Sequence, residues 1–289
     1  MKKLNDGIIL AGGYGKRLFP ITKVVNKHFL SVFDKPMIYY SLSILLLFEI
    51  KNITIVCNPE DEKNYIKLLG DGNEFGVNIN YAIQHEPEGL PHAINTGLKN
   101  RYTDEFMVIL GDNFLYGRDF FQHFKNQINN KKSINIFYQE VVNPNEYGVA
   151  VVEGGKLKEL IEKPENFISN KAIIGLYRFD NNFSELFKNL KKSKRNEFEI
   201  LDIFYEYGLN NIDLSNIGRG STWFDMGSYE NYFNASLFVK TIQERQGLLV
   251  SSPHEIAFNN GFIDKAVLED FINNYKSSTY ANSLKYLID

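Results

Sequence analysis

The sequence predicts an α/β fold, a mixed but mostly parallel sheet flanked by helices, with a small helical appendage at the C-terminus. Three observations carry this. Short β-rich runs alternate with amphipathic segments through the first two thirds of the chain, the most apolar runs have strand length, and the tail from residue 266 onward has helical spacing with no strand partner.

Taken in order, residues 7–11 read as a buried strand closed by Gly12-Gly13, and residues 36–48 as a helix led by Pro36. A second strand follows over 53–57, a helix with an acidic first turn over 61–69 and a short third strand over 79–82. Pro91 starts a helix over 91–98, and 106–110 is a continuous apolar run closed by Gly111-Asp112-Asn113. Asp112 therefore stands just past the C-terminal end of a strand, the edge where open α/β sheets put their ligands. Strands at 134–139, 149–152, 173–179 and 212–217 are mixed with helices near 183–190 and 200–207, and 229–246 has helical spacing.

The 289 residues are 44% hydrophobic and 23% charged, a balance that excludes disordered and fibrous chains. With 32 Lys and Arg against 35 Asp and Glu the net charge is −3, which gives no basic field for nucleic acid. Any phosphate binding must be local. The apolar run at 7–11 is too short for an export signal, and 44–48 falls far below the roughly 20 residues of a membrane span. One cysteine, Cys57, forms no internal disulfide, so the expected setting is a reducing one, the cytoplasm.

The most informative stretch is Gly12-Gly13-Tyr14-Gly15-Lys16-Arg17-Leu18, a glycine-rich turn after the first strand with two cations. Successive glycines let backbone N–H groups converge on phosphate oxygens, and the cations neutralise them. Leu18 stands where a G-x-G-x-x-G loop needs its last glycine, and Arg17 after Lys16 breaks the P-loop pattern. A strand followed by Gly-Gly-x-Gly also serves as a plain structural turn. Asp112 and Asp225, each at the end of an apolar run, can share one Mg²⁺ that bridges to substrate phosphates; either also suits a turn or cap. Lys163, held extended by Pro164, can aim a fixed cation at a phosphate, with Glu162 accepting from hydroxyls, or the two form a solvated pair. Lys27 is either a phosphate ligand or a surface lysine. The histidines, His28, His85, His92, His123 and His254, show no metal-binding spacing, and no G-x-S-x-G elbow is present.

These segments, in this order, resemble the sugar-1-phosphate nucleotidylyltransferases. The loop is similar to the family's G-G-x-G-T-R-L-x-P-x-T, with Lys16 in place of Thr. Leu110-Gly111-Asp112-Asn113, Tyr147-Gly148-Val149, Glu162-Lys163-Pro164, Gly175-Leu176-Tyr177 and Glu255-Ile256-Ala257-Phe258 match as well, so the likeness covers nearly the whole chain. It implies a Rossmann-like nucleotidyltransferase domain over 1–247 that includes the sugar-phosphate subregion, and a helical appendage over 248–289. Leu10, Gly12, Gly13, Gly15, Arg17, Lys27 and Asp112 would bind the nucleotide, with Gln84 and Gly89 reading its base. Gly148, Glu162, Lys163 and Ile174 would line the sugar-phosphate pocket, and Asp112 and Asp225 would hold Mg²⁺. Arg17, Lys27, Asp112 and Lys163 would carry catalysis, Lys163 positioning the nucleophile and Arg17 stabilising the leaving group.

The resemblance implies dTTP and α-D-glucose 1-phosphate as substrates, dTDP-glucose and pyrophosphate as products, and a homo-oligomer, a tetramer. UTP, CTP or another sugar 1-phosphate on the same fold is the near alternative, and a catalytically weakened regulatory paralogue the distant one. Two departures bear on the choice, since His28 and His92 stand where the family has glutamines. An imidazole titrating near pH 6.5 beside a triphosphate would make nucleotide binding tighten between about pH 7.5 and 6, unless both rings are passive neighbours packed against the loop and Gln84 alone recognises the base.

Overall fold

Both faces of the first predicted strand are apolar, and it lies inside a sheet of nine described strands with a hydrophobic core on each side. In this computed structural model, which describes residues 4–99, 103–117, 121 and 132–289, β1 (Asp6–Leu10) leads to β2 (Ser31–Val32), β3 (Lys35–Pro36), α1 (Met37–Leu47), β4 (Asn52–Cys57) and α2 (Glu62–Leu69). Then come β5 (Asn78–Ile83), α3 (Leu90–Leu98), β6 (Glu105–Leu110), β7 (Asn113–Tyr116), β8 (Ile134–Glu140), β9 (Gly148–Glu153), β10 (Lys156–Glu162) and β11 (Lys171–Asp180). The chain continues through α4 (Phe183–Phe187), α5 (Ile200–Tyr207), β12 (Ile212–Asn216), β13 (Thr222–Asp225), α6 (Tyr229–Gln246), α7 (Pro253–Asn259), α8 (Lys265–Asn274) and α9 (Thr279–Asn282). His123 lies outside the described residues.

Strands β6, β1, β4 and β5 run parallel, with Leu10 opposite Val56 on one side and Leu110 on the other. Their C-terminal ends therefore finish level, and the segments that leave them share one edge. Beyond β6 the sheet turns mixed: β11 is antiparallel to β6, β8 pairs with β11 and runs parallel to β12, and β10 is antiparallel to β9. Alternation along each buried strand feeds two cores. Ile9, Ile55, Met107 and Ile109 face α1, α2 and the C-terminal helices, while Ile8, Leu10, Val56 and Val108 face α3 and α5. Ala257, Leu268, Ile272 and Leu284 pack into the first of these cores, so the C-terminal helices share it with the sheet.

The predicted strands and helices form close to their expected bounds. Five strands arise that periodicity does not announce: β2 and β3, of two residues each, pair only with one another, and three more join them. β7 and β13 are four residues each and pair only with one another, and β10 alternates charged with apolar residues because much of it is exposed. Among the described residues no helix is long and apolar enough to cross a membrane.

Candidate active site

Backbone bonds lock the segments leaving β1, β5 and β6 to the ends of their neighbouring strands: Ala11 N–H donates to Val56 O (2.7 Å), Gln84 N–H to Cys57 O (2.9 Å) and Gly111 N–H to Leu10 O (2.9 Å). Two adjoining cavities open at this edge. The first, about 330 Å³, is lined by Leu10, Gly12, Gly13, Lys27, Gln84 and Gly89 among others. The second, about 190 Å³, takes in Arg17, Tyr147, Gly148, Gly175, Trp223 and Asp225. Asp112, Glu162 and Lys163 border both, so they stand at the junction.

In the first cavity the glycines have separate reasons. A Cβ on Gly12 would stand 3.0 Å from Oε1 of Gln84 and 3.2 Å from Oδ1 of Asn58, so a side chain there would press on the Gln84 amide. Gly89 (φ +100°) faces the Phe198 backbone so closely that a Cβ would fall 2.2 Å from its carbonyl oxygen. Gly15 lines neither cavity and instead begins the 3₁₀ turn Lys16–Leu18.

Lys27 sits on a 3₁₀ turn, Lys27–Phe29, capped by Asn26, whose side-chain oxygen accepts from His28 N–H. From there its ammonium pairs with Asp112, both side chains being mostly buried. Burial is the largest influence on Asp112 and opposes its ionisation, but the Lys27 charge, joined by the hydrogen bonds from Lys27 and Asn113, holds the carboxyl down at about 2. Asn113 fixes the same carboxylate by donating its amide to Oδ1 (3.1 Å). Its own Oδ1 accepts from Gly175 N–H (3.1 Å) and Trp223 Nε1–H (2.7 Å), which ties β6, β11 and β13 to one amide.

Asp225 comes from far along the chain. The β7–β13 pairing sets it opposite Asn113, and Met226 N–H donates to Asp112 O (2.9 Å). Burial and then the nearby Asp112 charge raise the Asp225 carboxyl above its usual range. Two such carboxylates could hold a cation between them, and hard oxygen donors suit Mg²⁺, which takes its remaining ligands from water and phosphate. Among the described residues no group of three or more His, Cys, Asp or Glu side chains converges, so protein ligands alone form no closed cage. Arg17 approaches Asp225 (3.3 Å) and Glu146 (3.9 Å) at the second cavity. It was expected with the nucleotide phosphates, and it does not line the first cavity.

Other expectations change. Lys163 is not extended: its φ is +43°, and its N–H donates to Tyr147 O (3.1 Å), continuing the β9–β10 ladder by one bond as the chain turns into Pro164. The side chain still borders both cavities, 4.0 Å from Glu162, whose carboxyl is raised by burial. Ile174 lies fully buried in the core on the opposite side of β11, while its neighbours Ile173 and Gly175 line the second cavity; the register of β11 against β8 breaks between Ile173 and Tyr177. His28 is 1% exposed, and burial together with the Lys27 charge lowers it to about 3, so it is neutral at any working pH. The Tyr65 hydroxyl donates to Ala11 O (3.2 Å) and accepts from His28 Nδ1 (2.9 Å), making the ring a strut beneath the phosphate loop rather than a titrating cation. His92 lines neither cavity and lies behind Gln84.

Sequence reasoning assigned no role to Arg195, Glu199 or Trp223. Arg195 and Glu199 form a bidentate pair (2.6 and 3.2 Å) at the wall of the first cavity, and Trp223 packs on Tyr147 with ring centroids 4.8 Å apart. Arg195 and Glu199 lie in the connection between α4 and α5, and Trp223 on the four-residue β13, neither of which carries a periodic signal.

Residues 6–242 match the model of the nucleotidyl transferase family. The chain belongs to this family. A glucose-1-phosphate thymidylyltransferase of Mycolicibacterium smegmatis is 41% identical over 292 aligned positions, covering 98% of this chain and 99% of the relative. Among solved structures, one described as a glucose-1-phosphate thymidylyltransferase from Bacillus anthracis, in complex with sucrose, superposes with a TM-score of 0.73 at 35% identity, covering 81% of this chain and 94% of that one. A UDP-glucose pyrophosphorylase complexed with UDP-glucose gives 0.72 at 26% identity, with 82% and 99% covered. The family thus has the mixed, mostly parallel sheet found here.

Proposed function

We propose that this chain joins dTTP and α-D-glucose 1-phosphate into dTDP-glucose and pyrophosphate. The observation that carries the reading is the junction: a glycine-lined cavity of nucleotide size and a second, smaller cavity meet at Asp112 and Lys163. The names of the full-length relatives supply the substrates.

The first cavity takes the nucleotide, with Leu10 and Gly89 against the base, Gln84 reading its edge and Gly12, Gly13 and Lys27 along the phosphates. Gly148 and Glu162 hold the sugar in the second, while Lys163 draws the sugar phosphate toward the junction. A phosphate oxygen of the sugar 1-phosphate attacks the α-phosphorus in line, the bond to the β-phosphate oxygen breaks, and pyrophosphate leaves with the electron pair. Both reactants are anions, so the protein's contribution is to hold them together and to place positive charge where negative charge develops. Arg17, beside Asp225 at the second cavity, adds positive charge on the sugar-phosphate side of the junction. Asp112 and Asp225 would hold the divalent cation, Mg²⁺, which when bound supplies charge neutralisation on the phosphates.

Pyrophosphate release across a matrix of nucleotides and sugar 1-phosphates tests the proposal. The expected maximum is dTTP with glucose 1-phosphate, and no release with any pair would overturn the reading. UTP is the second reading, favoured by the structural likeness to UDP-glucose pyrophosphorylase. The exposed side chains Tyr229, Phe233 and Leu237, four residues apart on α6, support assembly into a homo-oligomer, for which the family resemblance points to a tetramer. The buried single thiol, Cys57, and the absence of a described membrane-spanning helix are compatible with a cytoplasmic setting.

A further inference from the structure

The segment between Gln84 and α3 holds more than an amide at a cavity wall. Gln84 Nε2 lies 3.1 Å from Nδ1 of His92, while Gln84 Oε1 points toward the phosphate loop at Gly12. His92 Nε2 in turn lies 3.7 Å from Oε2 of Glu88. The other Glu88 oxygen is held by the Lys192 ammonium, and that bond keeps the carboxyl ionised below its usual range. An imidazole that faces a carboxylate with one nitrogen keeps its proton there, which leaves the other nitrogen as acceptor. Nδ1 of His92 then accepts from the Gln84 amide N–H, and the amide is fixed with its carbonyl oxygen turned to the cavity. The frame is firm: Phe187 and Phe198 pack on each other with centroids 5.0 Å apart and lie beside the His92 ring at 6.4 and 6.5 Å, and Phe198 N–H donates to Glu88 O at 2.8 Å.

We propose that His92 is a positioning residue that sets base specificity. Lys192, Glu88 and His92 form a relay that orients Gln84 so that its carbonyl oxygen accepts the N3–H of an imide base, thymine or uracil, and refuses cytosine, whose N3 is itself an acceptor. The inference rests on the nucleotidyl-transfer reading and names the base class that the site takes. Without an acceptor at position 92 the Gln84 amide is free to turn over, and its NH₂ group then serves cytosine as well as its oxygen serves the imide.

The test is calorimetric titration of dTTP and dCTP into the full chain with Mg²⁺ and no sugar phosphate, for wild type, His92→Phe, His92→Gln and Glu88→Gln. Wild type is expected to prefer dTTP by about 10- to 100-fold, the range for one well-made donor–acceptor match against the wrong base. His92→Phe keeps a ring against the Phe187–Phe198 pair but offers no acceptor, and the preference should fall to within about threefold of unity. His92→Gln can accept through its own carbonyl and should restore the wild-type preference to within about threefold, a rescue that a purely structural role does not predict. Glu88→Gln leaves Gln84 and His92 in place and should narrow the preference at least about threefold, which keeps the test open if the Phe variant does not fold. An unchanged preference in His92→Phe or in Glu88→Gln overturns the relay, and so does a His92→Gln variant that behaves like His92→Phe. A wild type that binds neither nucleotide refutes the nucleotidyl-transfer reading and the relay with it, an outcome distinct from failure of the relay alone.

Discussion

Replacing Lys27 by Met removes the cation that keeps a buried carboxylate charged, and the size of the effect follows from the site. The Asp112 side chain is 11% exposed and that of Lys27 13%, so solvent screens the pair little. The carboxyl is held from its ordinary 3.8 down to about 2. At about 1.4 kcal/mol per unit this is roughly 2 to 3 kcal/mol of stability at neutral pH. The sign is that of a depressed carboxylate: the contribution is complete above the unfolded value near 3.8 and is lost as pH falls through about 2. In Lys27→Met the balance reverses, because burial and the neighbouring Asp225 then push Asp112 upward, a penalty that protonation relieves as pH falls. Urea unfolding, free of nucleotide and divalent cation, should therefore show a midpoint about 1 M lower than wild type at pH 7, for a slope near 3 kcal/mol per M. The gap should narrow at about pH 4.5, as Asp112 of the variant takes up its proton. A midpoint within about 0.2 M of wild type at pH 7, or an equal gap at both pH values, would refute the electrostatic account.

Asp225→Asn should lower pyrophosphate release by at least about a hundredfold and weaken its dependence on Mg²⁺, because a cation shared by two carboxylates loses one of them; near-normal turnover would exclude the shared site. Lys163→Ala should weaken glucose 1-phosphate binding about tenfold or more while nucleotide affinity changes less than about threefold, as titration calorimetry of each ligand would show, and equal losses would exclude the division. Gly12→Ala places a methyl group 3.0 Å from the Gln84 oxygen and should cost about tenfold in nucleotide affinity with little loss of thermal stability; unchanged affinity would mean that Gln84 does not read the base.

The buried parallel strands were legible because residues on both of their faces are apolar, so 53–57 and 106–110 could be read without knowing their neighbours. Asp112 was legible for the same reason, as the first acidic residue past such a run. What depends on tertiary contact was not. His28 sits in a polar stretch, and only tertiary burial, with Tyr65 of α2 bonded to its ring and the Lys27 charge close by, keeps it neutral. Lys163 precedes a proline and reads as extended, yet its N–H is claimed by Tyr147 of the preceding strand connection, and the backbone turns to φ +43°. Ile174 fails by a single residue, since the irregularity in β11 decides which side chains reach the cavity, and Gly175 leaves no periodic mark.

The pairing of Asp112 with Asp225 is a matter of strand register more than of local sequence. β7 and β13 form a sheet of two strands, too short to be stable alone, and what fixes their alignment is side-chain chemistry at one end. Asn113 accepts from Trp223 Nε1–H and Gly175 N–H with one oxygen and donates to Asp112 with its nitrogen, so a slip of β13 by one residue would unmake the Trp223 bond and turn Asp225 to the opposite face. The raised Asp225 carboxyl shows the cost of this alignment, a buried charge held against its neighbour, which burial alone would disfavour. The Arg17 guanidinium, 3.3 Å away, offsets only part of that cost, and a divalent cation held between the two carboxylates would offset more, so cation binding should stabilise the fold through this pair.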